Sequence, residues 1–129
     1  MATMHVELVS PEREVWSGEA EAVFARTTDG ELGILPGHAP MIGALVDHPV
    51  RIVRGEGDEL VAAVFGGFLS VLESGVSVLA ETVELVDEID VANARQELDR
   101  NRGAGPEDQE ARVVASRAEA RLRAAGESV

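Results

Sequence analysis

Asp29-Gly30-Glu31-Leu32-Gly33-Ile34-Leu35-Pro36-Gly37-His38-Ala39-Pro40-Met41 is the stretch around which this chain of 129 residues is organised. It sets three glycines, two prolines and a histidine among apolar residues. Asp29-Gly30 reads as a tight turn, because glycine accepts a positive φ without steric cost. Leu32 to Leu35 reads as a short strand. Pro36-Gly37 is a second turn signal, and Pro40 biases Ala39 towards an extended backbone. The stretch is therefore a turn, a strand and a shaped loop, and it is too apolar to serve only as a linker.

Outward from this loop, Met4 to Val86 consists of short apolar runs cut by turns. Val6 and Leu8 share one face of an alternating run that Pro11 ends. Ala20, Ala22 and Phe24 alternate against Glu19 and Glu21, and Val50 and Ile52 alternate against Arg51 and Val53. Gly55-Glu56-Gly57-Asp58 and Glu73-Ser74-Gly75 are hairpin signals. Many short strands without helices between them predict an antiparallel β-sandwich or barrel. Leu60 to Phe65 is apolar on both faces and Phe68 to Leu72 nearly so. One face fills the core, and the other requires a cover, either the chain's own helices or a partner. Both covers are expected, on different parts of the surface. Gly66-Gly67 marks a bulge or a close backbone approach.

After Val86 the glycine punctuation stops. Asp87 or Asp90 caps a helix running to Arg102, with Val91, Ala94 and Leu98 on one stripe. Gly103-Ala104-Gly105 breaks it. Pro106 suits the first position of a second helix, followed by Glu107 and Asp108 in its first turn. That helix should run to about Ala125 and stop at Gly126, with Ala111, Val114, Ala118, Leu122 and Ala125 as its apolar stripe. Asp108 with Arg112 and Glu119 with Arg123 are spaced as i,i+4 pairs. The large residues of this hairpin are few, so light docking and mobility are expected. The chain divides into a β-sandwich at residues 1–86 and a C-terminal antiparallel helical hairpin at 87–129.

Composition excludes several functions. There is no cysteine, hence no disulfide, thiol catalysis or thiolate metal site. No apolar run reaches the roughly 18 residues of a membrane span, and no signal segment opens the chain, so a cytoplasmic location is expected. The net charge of −13 argues against nucleic-acid binding. His5, His38 and His48 lack metal-ligand spacing, so no metal site is expected. His38 has no nucleophile motif to serve, and a loop hydrogen bond is the plainer role for it. Gly66-Gly67 cannot be a phosphate cradle, since the chain has no lysine. No catalytic residue is assigned.

Three ordered blocks carry a resemblance: Gly30 to Pro40, Gly66-Gly67-Phe68-Leu69-Ser70-Val71, and Val76 to Glu81 leading to Glu88-Ile89-Asp90. Together they resemble the epsilon subunit of bacterial F-type rotary ATP synthases. The resemblance implies a non-catalytic central-stalk subunit with a β-sandwich and a helical hairpin. Its place would be peripheral, at the cytoplasmic face of the plasma membrane, in a proton-translocating machine. Implied partners are the gamma subunit, the c-ring and, through the hairpin, the alpha/beta catalytic head. On this basis Asp29, Gly30, Glu31 and Leu32, within the loop Arg26 to Gly33, are expected to face the ring. Ser10, His38, Ala39, Pro40 and Met41 are expected to face gamma. Arg112, Arg117, Arg121 and Arg123 would form a regulatory helix that hinders ATP hydrolysis. Some relatives bind ATP on the hairpin through an Ile-Asp-x-x-Arg-Ala pattern. Here Ile89, Asp90 and Ala94 match, but Asn93 replaces the arginine, leaving Arg95 and Arg100 to compensate. No cofactor is therefore expected. The alternatives are a free-standing nucleotide sensor on the same scaffold and a small hydrolase using His38.

Overall fold

The computed structural model describes residues 2–129. Eight strands precede two helices: β1 (Met4–Val9), β2 (Glu14–Ala20), β3 (Ala22–Thr27), β4 (Gly30–Ile34), β5 (Met41–Ala44), β6 (His48–Gly55), β7 (Asp58–Leu72) and β8 (Gly75–Leu85), then α1 (Val91–Asn101) and α2 (Gln109–Ala124). One continuous sheet runs β2-β1-β8-β7-β6-β3-β4, with β5 also paired to β7. All pairings are antiparallel except that of β1 with β8. The sheet folds over its own core, so that Ala20 of β2 and Ile34 of β4, from opposite ends of the strand order, belong to one apolar cluster.

Two long strands make the fold. The first half of β7 pairs with β6 through residues 58–64, and its second half pairs with β5 through residues 68–71. Ala62 and Val64 point into the core before the junction, and Leu69 and Val71 point into it after. Strict alternation would keep even-numbered residues inside, so one residue of phase is inserted between the halves. The junction is Gly66-Gly67, both at positive φ, +71° and +112°. β8 switches alongside, from Val76, Val78 and Ala80 inside to Val83 inside. A Cβ on Gly67 would lie 2.1 Å from the Leu79 carbonyl oxygen, a separation no side chain tolerates.

Because of this switch the sandwich has two unlike outer faces. In the first half of β7, Ala63 and Phe65 face α2 and pack on its Ala120 and Ala124. In the second half, Phe68 and Leu72 face outward and are exposed. Of the two covers expected for β7, the helical one lies over its first half, and the outward residues of its second half are open.

The local reading holds for the buried faces of β1 and β6 and for the stop at Gly126, whose φ is +80°. The strand expected at Leu32–Leu35 starts earlier, at Gly30, because the turn is Thr28-Asp29 and glycine, at φ +119°, opens the strand. Phe24 points outward, because the chain bends at Glu21 and resets the phase, placing Val23 and Ala25 inside. Pro106 does not begin α2. It sits in a turn closed by Asp108 N–H donating to the Gly105 carbonyl (3.1 Å). Asp108 is the cap instead, its carboxylate accepting from the Ala111 N–H (3.1 Å). Asp108 is thereby withdrawn from its expected pair, and Arg112 donates to the Pro106 carbonyl (3.3 Å). Asp90 caps α1 by accepting from the Asn93 N–H (3.0 Å). α2 buries two faces rather than one stripe. Ala118 and Leu122 meet Ala94 and Leu98 of α1, while Ala120 and Ala124 meet the sheet. Ala111, Val114 and Ala125 stay partly exposed.

Gly67→Ala must create both a backbone strain and a clash. It should lower the unfolding free energy by about 2–5 kcal/mol in urea titrations. Gly103→Ala, which meets open space, should stay within about 0.5 kcal/mol of the parent. Equal stability of the two variants would contradict the assigned role of the junction.

Candidate functional site

At one end of the sandwich, β3 and β4 form a two-residue hairpin. Thr27 is buried and fixes the turn from inside: its hydroxyl accepts from the Asp29 N–H (3.2 Å) and donates to the Gly30 carbonyl (3.3 Å). Asp29 and Glu31 are thus held out on a rigid tip, with the Glu31 side chain 68% exposed. Leu32 turns back and packs on the core. The Glu31 carboxylate lies 3.5 Å from Nε2 of His48.

The other end of β4 leads into the Pro36-Gly37 turn, closed by the His38 N–H donating to the Leu35 carbonyl (3.0 Å). His38 Nδ1 sits 2.7 Å from the Ala39 carbonyl oxygen, a hydrogen bond within the loop. Glu31 and His38 consequently lie at opposite ends of one strand. Met41 opens β5 and packs partly on the core, and its neighbour Ile42 is 73% exposed. Across the sheet from β5 come Phe68 of β7, 55% exposed, and its cross-strand partner Leu79 of β8, 44% exposed. Ser10, just past β1, borders a shallow cleft with Val9, Pro11, Phe68 and Leu79. Ser10 and Met41 therefore flank one open apolar face from its two sides. Phe68 at its centre belongs to the run Phe68 to Leu72 whose outward face was expected to need a cover, and Ile42 and Leu79 carried no such signal.

The four arginines of α2 do not share a face. Arg117 and Arg121 lie over the ring of buried Phe65, at 5.5 and 4.8 Å from its centroid. Arg121 also donates two hydrogen bonds to Glu84 of β8, both 2.8 Å, which hold its guanidinium pKa above the ordinary value. Arg117 approaches Asp47 at 4.0 Å, and Arg123 pairs with Glu119 at 3.4 Å, the i,i+4 pair expected from the sequence. Arg112 is exposed. Arg121 and Glu84 join the hairpin to the sheet beside the packing of Ala120 and Ala124 on Phe65, a set the helical stripe did not reveal.

The residues of the nucleotide pattern do not converge. Ile89 packs towards Phe65, Ala94 is buried between the helices, and the Asp90 carboxylate is used as a cap. Arg95 donates to the Ser128 carbonyl (2.7 Å), while Arg100 is exposed further along α1.

The family model described as ATP synthase, Delta/Epsilon chain, beta-sandwich domain matches residues 3–86. An ATP synthase epsilon chain of Streptomyces avermitilis is 49% identical over 123 residues, 95% of each chain. The chain belongs to the ATP synthase epsilon family. Another member, from Mycobacterium sp. (strain KMS), is 48% identical over 128 residues, 98% of each chain. The fold is also similar to that of a chain in the Euglena gracilis mitochondrial ATP synthase OSCP/F1/c-ring structure, with a TM-score of 0.85 at 21% identity, covering 98% of this chain and 83% of the other. Its relatives are thus named as the epsilon chain of the complex, not as its catalytic subunit. Among the described residues no helix is long and apolar enough to cross a membrane.

His48 gives this epsilon-family chain a pH signature. Burial first, then Arg26 and Arg123, hold its pKa below the ordinary value, and Glu31 only partly opposes them. The unfolded chain therefore takes up this proton at higher pH than the folded one. The contribution is fully favourable above about pH 6.5 and is lost as pH falls from there towards the folded pKa. In urea titrations between pH 7.5 and 5, His48→Gln should lose less stability than the parent. Parallel profiles would show that His48 does not carry the effect.

Proposed function

We propose that this chain couples rotation within a proton-translocating ATP synthase, its sandwich (residues 1–86) joining the gamma shaft to the c-ring and its hairpin (87–129) regulating ATP hydrolysis. The observation that carries the reading is the open apolar face centred on Ile42, Phe68 and Leu79, on the outer layer opposite the docked helices. Large uncovered apolar surface favours a protein partner. Ser10 and Met41 border that face, so it includes both margins assigned to gamma. His38, Ala39 and Pro40 lead into it.

The acidic tip at Asp29 and Glu31 is the ring-facing element, and it suits basic loops. One exposed ion pair contributes only about 0–1 kcal/mol, so the tip sets register while the apolar face supplies grip. Solved structures of similar fold support this arrangement in kind, being chains of an F1/c-ring assembly and of a Tetrahymena thermophila central stalk/c-ring assembly, the latter with a TM-score of 0.66 at 15% identity, covering 96% of this chain and 97% of the other. The machine would hold this subunit at the cytoplasmic face of the membrane.

For regulation, the docked arrangement already uses Arg117 and Arg121 on Phe65, Asp47 and Glu84. Release of α2 would free both arginines for acidic segments of the alpha/beta head. Undocking therefore exchanges one set of ion pairs for another, the basis of a reversible brake.

The test is titration of the purified chain with its gamma-type shaft subunit. Phe68→Glu, at an exposed position, should leave the fold intact and weaken binding about tenfold or more. A chain ending at Glu88 should bind with the full-length affinity. Unchanged affinity for Phe68→Glu would overturn the assignment of this face.

A further inference from the structure

We propose that His48 is a proton-operated release for the C-terminal end of α2. Its imidazole belongs to β6 and lines the groove between the sandwich and that helix end, together with Arg123 and Ala124 of α2. The side chain is only 17% exposed. His5 and His38 lie elsewhere, on β1 and in the loop after β4. His48 is thus the histidine placed where the two parts of the chain meet.

The surrounding elements set mostly positive charge around it. Arg26 comes from β3, Glu31 from β4, Arg51 from β6 itself and Arg123 from α2. Arg51 and Arg123 have partners of their own, Glu59 and Glu119. Asp47, the preceding residue, is engaged by α2, 3.4 Å from the Ser116 hydroxyl and 4.0 Å from Arg117. β7 offers Val64, which pairs with His48 and carries no charge. Among the described residues, three guanidinium groups therefore share the groove with one carboxylate. That carboxylate, of Glu31, stands 3.5 Å from Nε2, longer than an ordinary hydrogen bond.

Neutral imidazole suits this setting and imidazolium does not. Nδ1 is buried and has no hydrogen-bond partner among the described residues. In the imidazolium both ring nitrogens are donors, so protonation adds an unmet buried N–H as well as a fourth cation. Burial and Arg26 oppose that charge most, Arg123 adds to them, and Glu31 offsets them only in part. The groove relaxes at its weaker wall. β3 is hydrogen-bonded to β4 on one side and β6 on the other. The end of α2 rests on two alanines, Ala120 and Ala124, and on the pair of Arg121 with Glu84. Protonation therefore lifts the helix end, moves Arg123 away and admits water to Nδ1. Docking lowers the proton affinity of His48, so by linkage a proton weakens docking. The docked end is fully favoured above about pH 6.5 and loosens as pH falls from there. This device rests on the docked hairpin and is independent of the shaft assignment.

The experiment is amide exchange of the full-length chain at pH 7.5 and 5.5, compared as protection factors so that the intrinsic pH dependence of exchange cancels. Protection over residues 118–125 should fall about threefold to tenfold at the lower pH, the span that one histidine can supply about one unit below its ordinary pKa. Residues 50–53 and 61–65 of the sheet should keep theirs. His48→Gln should remove the pH response of 118–125, whereas His5→Gln and His38→Gln should retain it. Arg123→Gln, at an exposed position, should raise the His48 pKa read from its imidazole NMR signals and shrink the same response. Unchanged protection at 118–125, an equal loss at 50–53 and 61–65, or a response that persists in His48→Gln would overturn the proposal. So would an Arg123→Gln chain in which neither the pKa nor the response moves, and that arm does not depend on the folding of His48→Gln. The shaft titration is unaffected by any of these outcomes, so the two readings fail independently.

Discussion

Two consecutive glycines in the middle of a fifteen-residue strand hold this structure together. At Gly67 the backbone passes so close to the Leu79 carbonyl that any side chain would collide with it. That approach shifts the alternation of β7 by one residue, and β8 shifts with it. The same strand therefore offers Phe65 to one outer face of the sandwich and Phe68 to the other. One face docks a helical hairpin and the other stays open. A strand of uniform alternation would have placed its outward apolar residues on a single side, leaving one face for both the hairpin and the proposed shaft contact.

Much of the scaffold was legible because its signals are local. Proline and glycine mark the turns at Pro36-Gly37 and Glu56-Gly57, and alternation marks the buried faces of β1 and β6. What stayed hidden depended on phase or on distant partners. Phe24 followed a bend at Glu21 that no composition rule announces. Pro106 competed with Asp108 for the start of α2, and the carboxylate that could reach an unpaired N–H prevailed. Ala120 and Ala124 lie off the expected helical stripe, and their small size lets α2 approach Phe65.

The turns at the two ends of β4 were legible for the same reasons. The turns that present Glu31 and His38 carry local glycine and proline signals, whereas Ser10 was named only through the family resemblance. Arg121 gave no hint of its partner, because Glu84 lies 37 residues away and on a different element. The groove formed by Arg26, His48, Arg51 and Arg123 was equally invisible, being assembled from β3, β6 and α2. Charge pairing across sequence distance is set by topology, and topology here follows from the glycine junction.

That junction separates the open apolar face, proposed to meet the shaft, from the face that docks the hairpin. Amide exchange of the full chain, alone and in complex with the gamma-type shaft, tests it most directly. Protection should appear over residues 41–45, 68–72 and 77–80, with residues 109–124 exchanging as in the free chain. Protection centred on 61–65 and 118–124, with 68–72 unchanged, would contradict the account.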